Sequence, residues 1–299
     1  VPLDIFIPFW GDPDLLETTV RSVLAQDSDD WVLTVVDDAY PDPRPRAFLE
    51  GIDDDRVRYV RHESNVGITE NYRACVAMAT HEHVVLLGCD DVLLPDYVRT
   101  VLAAHARVPE ASVVQPGVQV VDADGTVVRP LGDVVKDRLR ARATRHGRLL
   151  RGEAVAAGLL QADWLYWPSL SFRRDALTSL PFRDGMPIIQ DLALVVDLVL
   201  AGGSILVEPR TCFQYRRHAS SASSAKAYDG SRFAGERAYF RLAAGLAADH
   251  GWRRAERAAR WHVTSRLHAL TLAPGALRAR GLRGLGPLLR HAFVPLTDA

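Results

Sequence analysis

The sequence predicts an α/β fold: a Rossmann-like, mostly parallel central sheet with flanking helices, followed by a helical appendage. Three observations predict it. Through the first 110 residues, apolar runs of strand length alternate with segments of helical periodicity, the rhythm of a parallel sheet with helices on both faces. Aromatic and acidic residues stand just after several of those runs, where an open parallel sheet has its ligand crevice. From Ser231 to His291 the chain becomes rich in Ala, Leu and Arg at helical spacing, and all three are good helix formers.

The first strand is "LDIFIP", Leu3 to Pro8, and a helix follows with Asp12 as N-cap and Pro13 at its first position. "WVLTVVDD" (Trp31 to Asp38) and "VRYVR" (Val57 to Arg61) are the next two strands. A helix over Glu70 to Ala79 leads to the fourth strand, "HVVLLG", and another helix runs from about Pro95 to Ala106. After Ala111 the rhythm changes. "ASVVQPGVQVVDADGTVV" reads as strands joined by a turn at Asp124-Gly125, and the charged stretch from Val134 to Leu150 is expected to be a mobile excursion. "GEAVAAGLL" and "QDLALVVDLVLAGG" read as helices, the second stopped by Gly202 and Gly203. "SILVEP" and "CFQYRRH" read as two short strands, and Gly251, Pro274 and Pro287 as interruptions of the helical appendage.

With 299 residues and 48% hydrophobic content, the chain can bury a full core. A formal net charge of -1 gives no overall electrostatic footprint for nucleic acid. That average hides an asymmetry: from Gly251 onward nine Arg face two acids, a balance of +7, while the first 250 residues carry 27 basic against 35 acidic residues, or -8. Three readings of the basic tail stand open: peripheral contact with an anionic membrane surface, a homodimer element, or a solvated helix face. Cys75, Cys89 and Cys212 are odd in number and lack a CxxC spacing, which suits a reducing, cytoplasmic setting. No window approaches the ~18 apolar residues of a membrane span, no signal core opens the chain, and a start at Val1 suggests a trimmed end.

Pro8-Phe9-Trp10, Asp37-Asp38 and Asp90-Asp91 follow the first, second and fourth strands and are expected to face one crevice. Each alone has a plain structural explanation: core packing for Trp10, a cap or turn for Asp37-Asp38, and for Asp90-Asp91 a turn with Pro95 opening the next helix. Together they offer a stacking face for a base, a carboxylate for a pyrimidine N3–H, and a carboxylate pair to hold a divalent cation against a diphosphate.

"IFIPFWGDPDLLETTVRSVLAQD…WVLTVVDDAYPD", "NVGITENYRACVAMA" and "HVVLLGCDDVLLPDY" resemble the successive signatures of the family 2 glycosyltransferases over residues 3 to about 220. The resemblance implies a GT-A fold, with a catalytic domain over 1–225 (nucleotide-binding half about 1–110, acceptor half about 111–225) and a helical region over 226–299. It implies nucleotide contacts at Pro8, Trp10, Asp38 and Asp90, a turn near the nucleotide at Asn65 and Gly67, and a DxD-type motif at Cys89-Asp90-Asp91 with Asp91 as the metal ligand. Two positions depart from the pattern: Cys89 stands where Asp is common, and Trp10-Gly11 where Tyr-Asn is common.

By the same resemblance, "MPIIQDLALVVDLVLAGG" puts Asp191 in the position of the catalytic base, with Gln190 replacing the usual first acid; a first-turn acid complementing the helix dipole is the alternative. "YRRHASSASS" places His218 near the metal or diphosphate, Arg216 or Arg217 against phosphate charge, and the serine run as a lid. Trp164 and Trp167 are candidates to stack on an acceptor, or core residues. Asp197 reads as structural, Asp53 to Asp55 as a polar turn, and His81 and His83 as solvated. The implied activity is inverting transfer of a sugar from a nucleotide-diphosphate donor, UDP or dTDP linked, to a glycan or lipid-linked acceptor, with Mn2+ or Mg2+ as cofactor. A sugar-1-phosphate nucleotidyltransferase would instead show a Gly-rich, basic loop after the first strand, and the presence of both Asp91 and Asp191 speaks against a catalytically silent nucleotide-sugar binder.

Overall fold

A computed structural model describes residues 1–186, 188–218 and 231–296. The serine run proposed as a lid falls largely on residues 219–224 and so lies outside the described residues. One nine-stranded sheet runs through the molecule in the order β3-β2-β1-β4-β8-β6-β9-β5, with β7 also paired to β9. Its strands are β1 (Leu3–Phe9), β2 (Trp31–Asp37), β3 (Val57–Arg61), β4 (His83–Leu86), β5 (Val92–Leu93), β6 (Val113–Val121), β7 (Leu149–Arg151), β8 (Ser171–Arg173) and β9 (Ser204–Arg216). The first four pair in parallel, as expected. Beyond them β8 enters antiparallel to both β4 and β6, β6 and β9 run parallel, and β5 and β7 oppose β9.

The early helices are α1 (Pro13–Leu24), α2 (Arg44–Glu50), α3 (Ile68–Met78) and α4 (Tyr97–Arg107). Asp12 caps α1 by accepting the Asp14 N–H at 2.9 Å, with Pro13 in the first turn. Leu3, Ile5 and Ile7 of β1 face α1 and α4 through Leu16, Val20, Val98 and Val101, while Phe6 packs on the opposite side with Tyr72 and Cys75 of α3. β1 is thus buried on both faces, as a central parallel strand requires.

Next come α5 (Leu131–Ala143), α6 (Gly152–Gln161), α7 (Arg174–Thr178) and α8 (Gln190–Leu200). The stretch expected to be a mobile excursion is mostly α5. Two of its charges are bound: buried Asp133 accepts from Tyr166 Oη at 2.9 Å and from both ends of the Arg217 fork at 2.7 and 2.8 Å, and Lys136 Nζ donates to the Leu165 carbonyl at 2.8 Å. The two short strands expected near residue 210 form one long β9. A register shift near Gly117 accommodates exposed Pro209 and Arg210; a Cβ on Gly117 would sit 2.9 Å from their backbone atoms. His81 and His83 are not simply solvated: His81 Nδ1 bonds Asp4 at 2.7 Å, and the His83 ring lies 4.0 Å from His105.

Four helices close the described chain: α9 (Ser231–Asp249), α10 (Arg253–Trp261), α11 (Val263–Arg280) and α12 (Leu282–Phe293). Gly251, with φ of +71°, separates α9 from α10 as expected. Pro274 and Pro287 instead lie inside α11 and α12; both are exposed, so the carbonyl that loses its helical N–H partner can bond water. Tyr239, Phe240, Ala243 and Ala247 of α9 join the core around α8.

Candidate active site

At the ends of β1 and β2 the chain builds an aromatic notch. Trp10 is 52% exposed, and its ring lies edge-on to Tyr40 at 5.2 Å; Tyr40 packs against Phe9 at 5.1 Å. The turn that brings Tyr40 there passes through Ala39 at φ of +60°, unusual for a residue with a Cβ. Asp37 holds it: one carboxylate oxygen accepts the Tyr40 N–H at 2.7 Å, and the other accepts from Tyr59 Oη at 2.5 Å and Arg61 Nη1 at 2.6 Å.

Asp38 is buried rather than open to solvent. Its oxygens accept the N–H groups of Val66 at 2.6 Å and Gly67 at 2.9 Å, and Asn65 donates to its carbonyl at 3.3 Å. Its structural task is therefore to anchor the 65–67 loop beside the notch; each oxygen keeps one lone pair for a further donor. Glycine suits position 67 because its φ of +87° would strain a residue with a Cβ.

The acidic pair after β4 is held from three sides. Thr19 Oγ1 donates to the Asp91 carbonyl at 2.8 Å, the Arg216 N–H to Asp91 Oδ1 at 2.9 Å, and Arg216 Nε to the Asp90 carbonyl at 2.9 Å. The Arg216 guanidinium also donates to the carbonyls of Asp122 and Ala123, and Arg217 is engaged by Asp133. The two arginines expected to meet phosphate charge are thus structural ties, a role their position beside His218 does not disclose.

Asp91 Oδ2 is buried with no hydrogen-bond partner among the described residues. A Cβ on Gly88 would meet it at 2.5 Å and Asp90 Oδ1 at 3.0 Å, so two carboxylate oxygens border the space that glycine leaves. Burial, with the Asp90 charge adding to it, raises the Asp91 carboxyl well above the ordinary carboxylate range. An orphaned buried carboxylate oxygen beside a second one fits a hard divalent cation. Among the described residues no group of three or more His, Cys, Asp or Glu side chains is arranged to hold a metal.

His218 Nε2 bonds Asp90 Oδ2 at 2.6 Å, and that bond is the main cause raising the imidazole above its usual range. It is Asp90's partner here, and direct ligation would require exchanging that bond. Burial first, and then Asp90 and Asp91, push the Cys89 thiol up, which disfavours a thiolate ligand. A Cβ on Gly11 would meet the Cys89 sulfur at 3.0 Å, so the two departures from the family pattern touch each other. Gly88→Ala is expected to abolish metal-dependent nucleotide binding, read by calorimetry, while the circular dichroism spectrum stays as in wild type.

Asp191 lies in the first turn of α8, half-buried, with Oδ1 accepting the Leu192 N–H at 2.8 Å. Burial first, then the Asp163 carboxylate, push its carboxyl up to about 6, against the opposing Leu192 N–H bond and the charges of Lys136 and Arg232. Gln190 is tied to α3 by Thr69 Oγ1 at 2.8 Å, a bond that fixes the start of α8 against the nucleotide half. Burial raises the Tyr215 phenol, and the charges of Asp91, Asp90 and Asp191 raise it further. Sequence reading missed Asp163, which carries no motif of its own.

The acceptor-wall expectation fails for Trp164, which is 1% exposed within the core. Trp167 is partly buried among Tyr72, Phe172 and Phe182, with ring centroids at 6.0, 5.3 and 6.1 Å. Both indoles meet apolar neighbours because the loop before β8 turns inward to complete the core beneath α3.

The fold is GT-A, a mixed α/β sheet with its acidic residues gathered at one end. The chain belongs to the family described as Glycosyl transferase family 2, whose profile matches residues 4–158. The succinoglycan biosynthesis protein ExoO of Rhizobium meliloti (strain 1021) is 26% identical over 218 residues, 72% of this chain and 60% of that protein. The chain spans no more than 60% of the length of the curated relatives it matches. The fold is shared with S. aureus TarS 1-349 in complex with UDP-GlcNAc, at TM-score 0.69 and 14% identity over 98% of this chain and 82% of that one. It is shared also with the mannosyltransferase PcManGT from Pyrobaculum calidifontis in complex with GDP-Man and Mn2+, at TM-score 0.60 and 18% identity over 97% of this chain and 85% of that one.

Proposed function

We propose that this chain is an inverting, divalent-cation-dependent glycosyltransferase that moves a sugar from a nucleotide-diphosphate donor to a hydroxyl of a glycan or lipid-linked acceptor. One observation carries the reading: a buried Asp91 oxygen with no hydrogen-bond partner among the described residues stands with an Asp90 oxygen at the Cβ-free face of Gly88, just after β4. The solved neighbours bound to UDP-GlcNAc and GDP-Man support a nucleotide-sugar donor, and the biosynthetic name of ExoO supports a glycan product.

In this reading the base of the donor stacks at Trp10 and Tyr40, beside the loop that Asp38 anchors. A uracil or thymine is favoured because the remaining lone pairs of Asp38 suit an N3–H. Asp91 and Asp90 would hold Mn2+ or Mg2+, which when bound supplies Lewis-acid relief of charge on the departing diphosphate. His218 orients the Asp90 carboxylate. Asp191 receives the acceptor hydroxyl proton at the oxygen not engaged by Leu192, and attack from that side, opposite the diphosphate, inverts the anomeric centre. The catalytic part is taken as 1–225.

A thermal-shift panel of nucleotide sugars with and without manganese tests this. UDP or dTDP sugars are expected to stabilise the protein only with the metal, by about 2.7 kcal/mol at a hundredfold excess over Kd, with slow donor hydrolysis to follow. Stabilisation without hydrolysis would favour a silent binder. No shift with any nucleotide sugar would remove the reading.

A further inference from the structure

The apolar residues of α11 divide into two sets. Ala269 and Ala276 are buried with Leu288 of α12 and Phe233 of α9. Val263, Leu267, Leu270, Pro274 and Leu277 are all exposed, at alternating spacings of four and three that line up along one side of a helix. Leu267 is 56% exposed. The hairpin partner α12 continues the apolar exposure with Leu282 at 81% and Phe293 at 66%, and Trp261 at the end of α10 adds an indole at 62%. A soluble surface does not ordinarily gather so many apolar side chains on one hairpin.

The charges around this face are of one sign. Arg278, Arg280, Arg283 and Arg290 are exposed on the same two helices, and residues 257–296 contain no Asp or Glu. Arg266 is directed inward, to the Ala292 and Val294 carbonyls, and clamps the hairpin. A second copy docking through the same face would bring arginine against arginine with no acid to pair them. A surface of anionic lipid complements both properties at once, taking the apolar residues into the acyl boundary and the guanidinium groups at the headgroups. No helix among the described residues is long and apolar enough to cross a membrane, so the hairpin would lie on the surface. We infer that α11 and α12 form a peripheral docking surface for an anionic bilayer, a conclusion that does not depend on the proposed catalysis.

The full chain sedimented with vesicles tests the inference. Binding is expected to phosphatidylglycerol–phosphatidylcholine vesicles and not to phosphatidylcholine alone, with release as salt shortens the Debye length. The doubly substituted Leu267→Ser/Leu277→Ser and Arg278→Ser/Arg283→Ser chains should each bind at least about tenfold more weakly, with wild-type circular dichroism and wild-type nucleotide binding to show an intact fold. Absence of vesicle binding would overturn the inference, as would either variant binding at wild-type strength. A dimer in sedimentation velocity that dissolves in Leu267→Ser/Leu277→Ser, without vesicle binding, would assign the face to a second copy instead.

Discussion

Asp191→Asn is expected to lower sugar transfer by about two to four orders of magnitude, the range for loss of a general base, while donor affinity measured by calorimetry stays within about twofold. The amide oxygen of Asn can still accept the Leu192 N–H that Asp191 accepts at 2.8 Å, so the first turn of α8 keeps its geometry and only the proton acceptor is lost. The pH profile carries the same information. Because burial and Asp163 push the Asp191 carboxyl up to about 6, wild-type kcat/KM should rise about tenfold per pH unit below that value and level off above it, and that limb should vanish in the variant. The stability sign is opposite to the activity sign. A carboxyl whose pKa is higher in the folded chain than the ordinary ~3.9 of Asp contributes stability present below that ordinary value and lost as pH rises through about 6. Asp191→Asn should therefore melt no lower than wild type, and somewhat higher, at about pH 8. Undiminished transfer by the variant would remove Asp191 as the base.

What the sequence made legible was what depends on neighbours along the chain. Strand and helix periods and the Asp12-Pro13 helix start are local features, and their consequences for β1 and α1 follow without knowledge of the rest. Features that require a distant partner stayed hidden. Charged α5 looks like a loop until Arg217 and Tyr166, more than 30 residues away, close on Asp133. Arg216 looks like a phosphate ligand until its guanidinium is seen wrapped around the carbonyls of Asp90, Asp122 and Ala123. Trp164 looks like a sugar platform because an indole suits a pyranose face as well as it suits a core, and only the path of the chain into β8 decides between them. Asp163 and Asp191 are 28 positions apart, so the carboxylate pair that tunes the candidate base has no spacing by which to be read.

The substitution Asp91→Asn should move stability and function in opposite directions. The wild-type site keeps a buried carboxylate oxygen without a partner, bordered by Asp90 and by the Cβ-free face of Gly88. Burial and the Asp90 charge raise the Asp91 carboxyl well above its ordinary value, so in metal-free protein at neutral pH its ionised form costs stability. Asn removes that charge while its oxygen still accepts the Arg216 N–H, now at 2.9 Å to Asp91 Oδ1. The metal-free variant should accordingly melt higher than wild type. A neutral amide contributes no anionic ligand, so the further stabilisation that manganese and a nucleotide sugar give the wild type should disappear. Transfer should fall about a thousandfold or more, since Lewis-acid relief of the leaving diphosphate is worth several kcal/mol. Cys89→Ser, one residue earlier, should leave the manganese response in place, because the Cys89 thiol is held neutral by burial and by both aspartates and is not needed as a ligand. A manganese-dependent shift that survives in Asp91→Asn, or that is lost in Cys89→Ser, would move the metal away from Asp91.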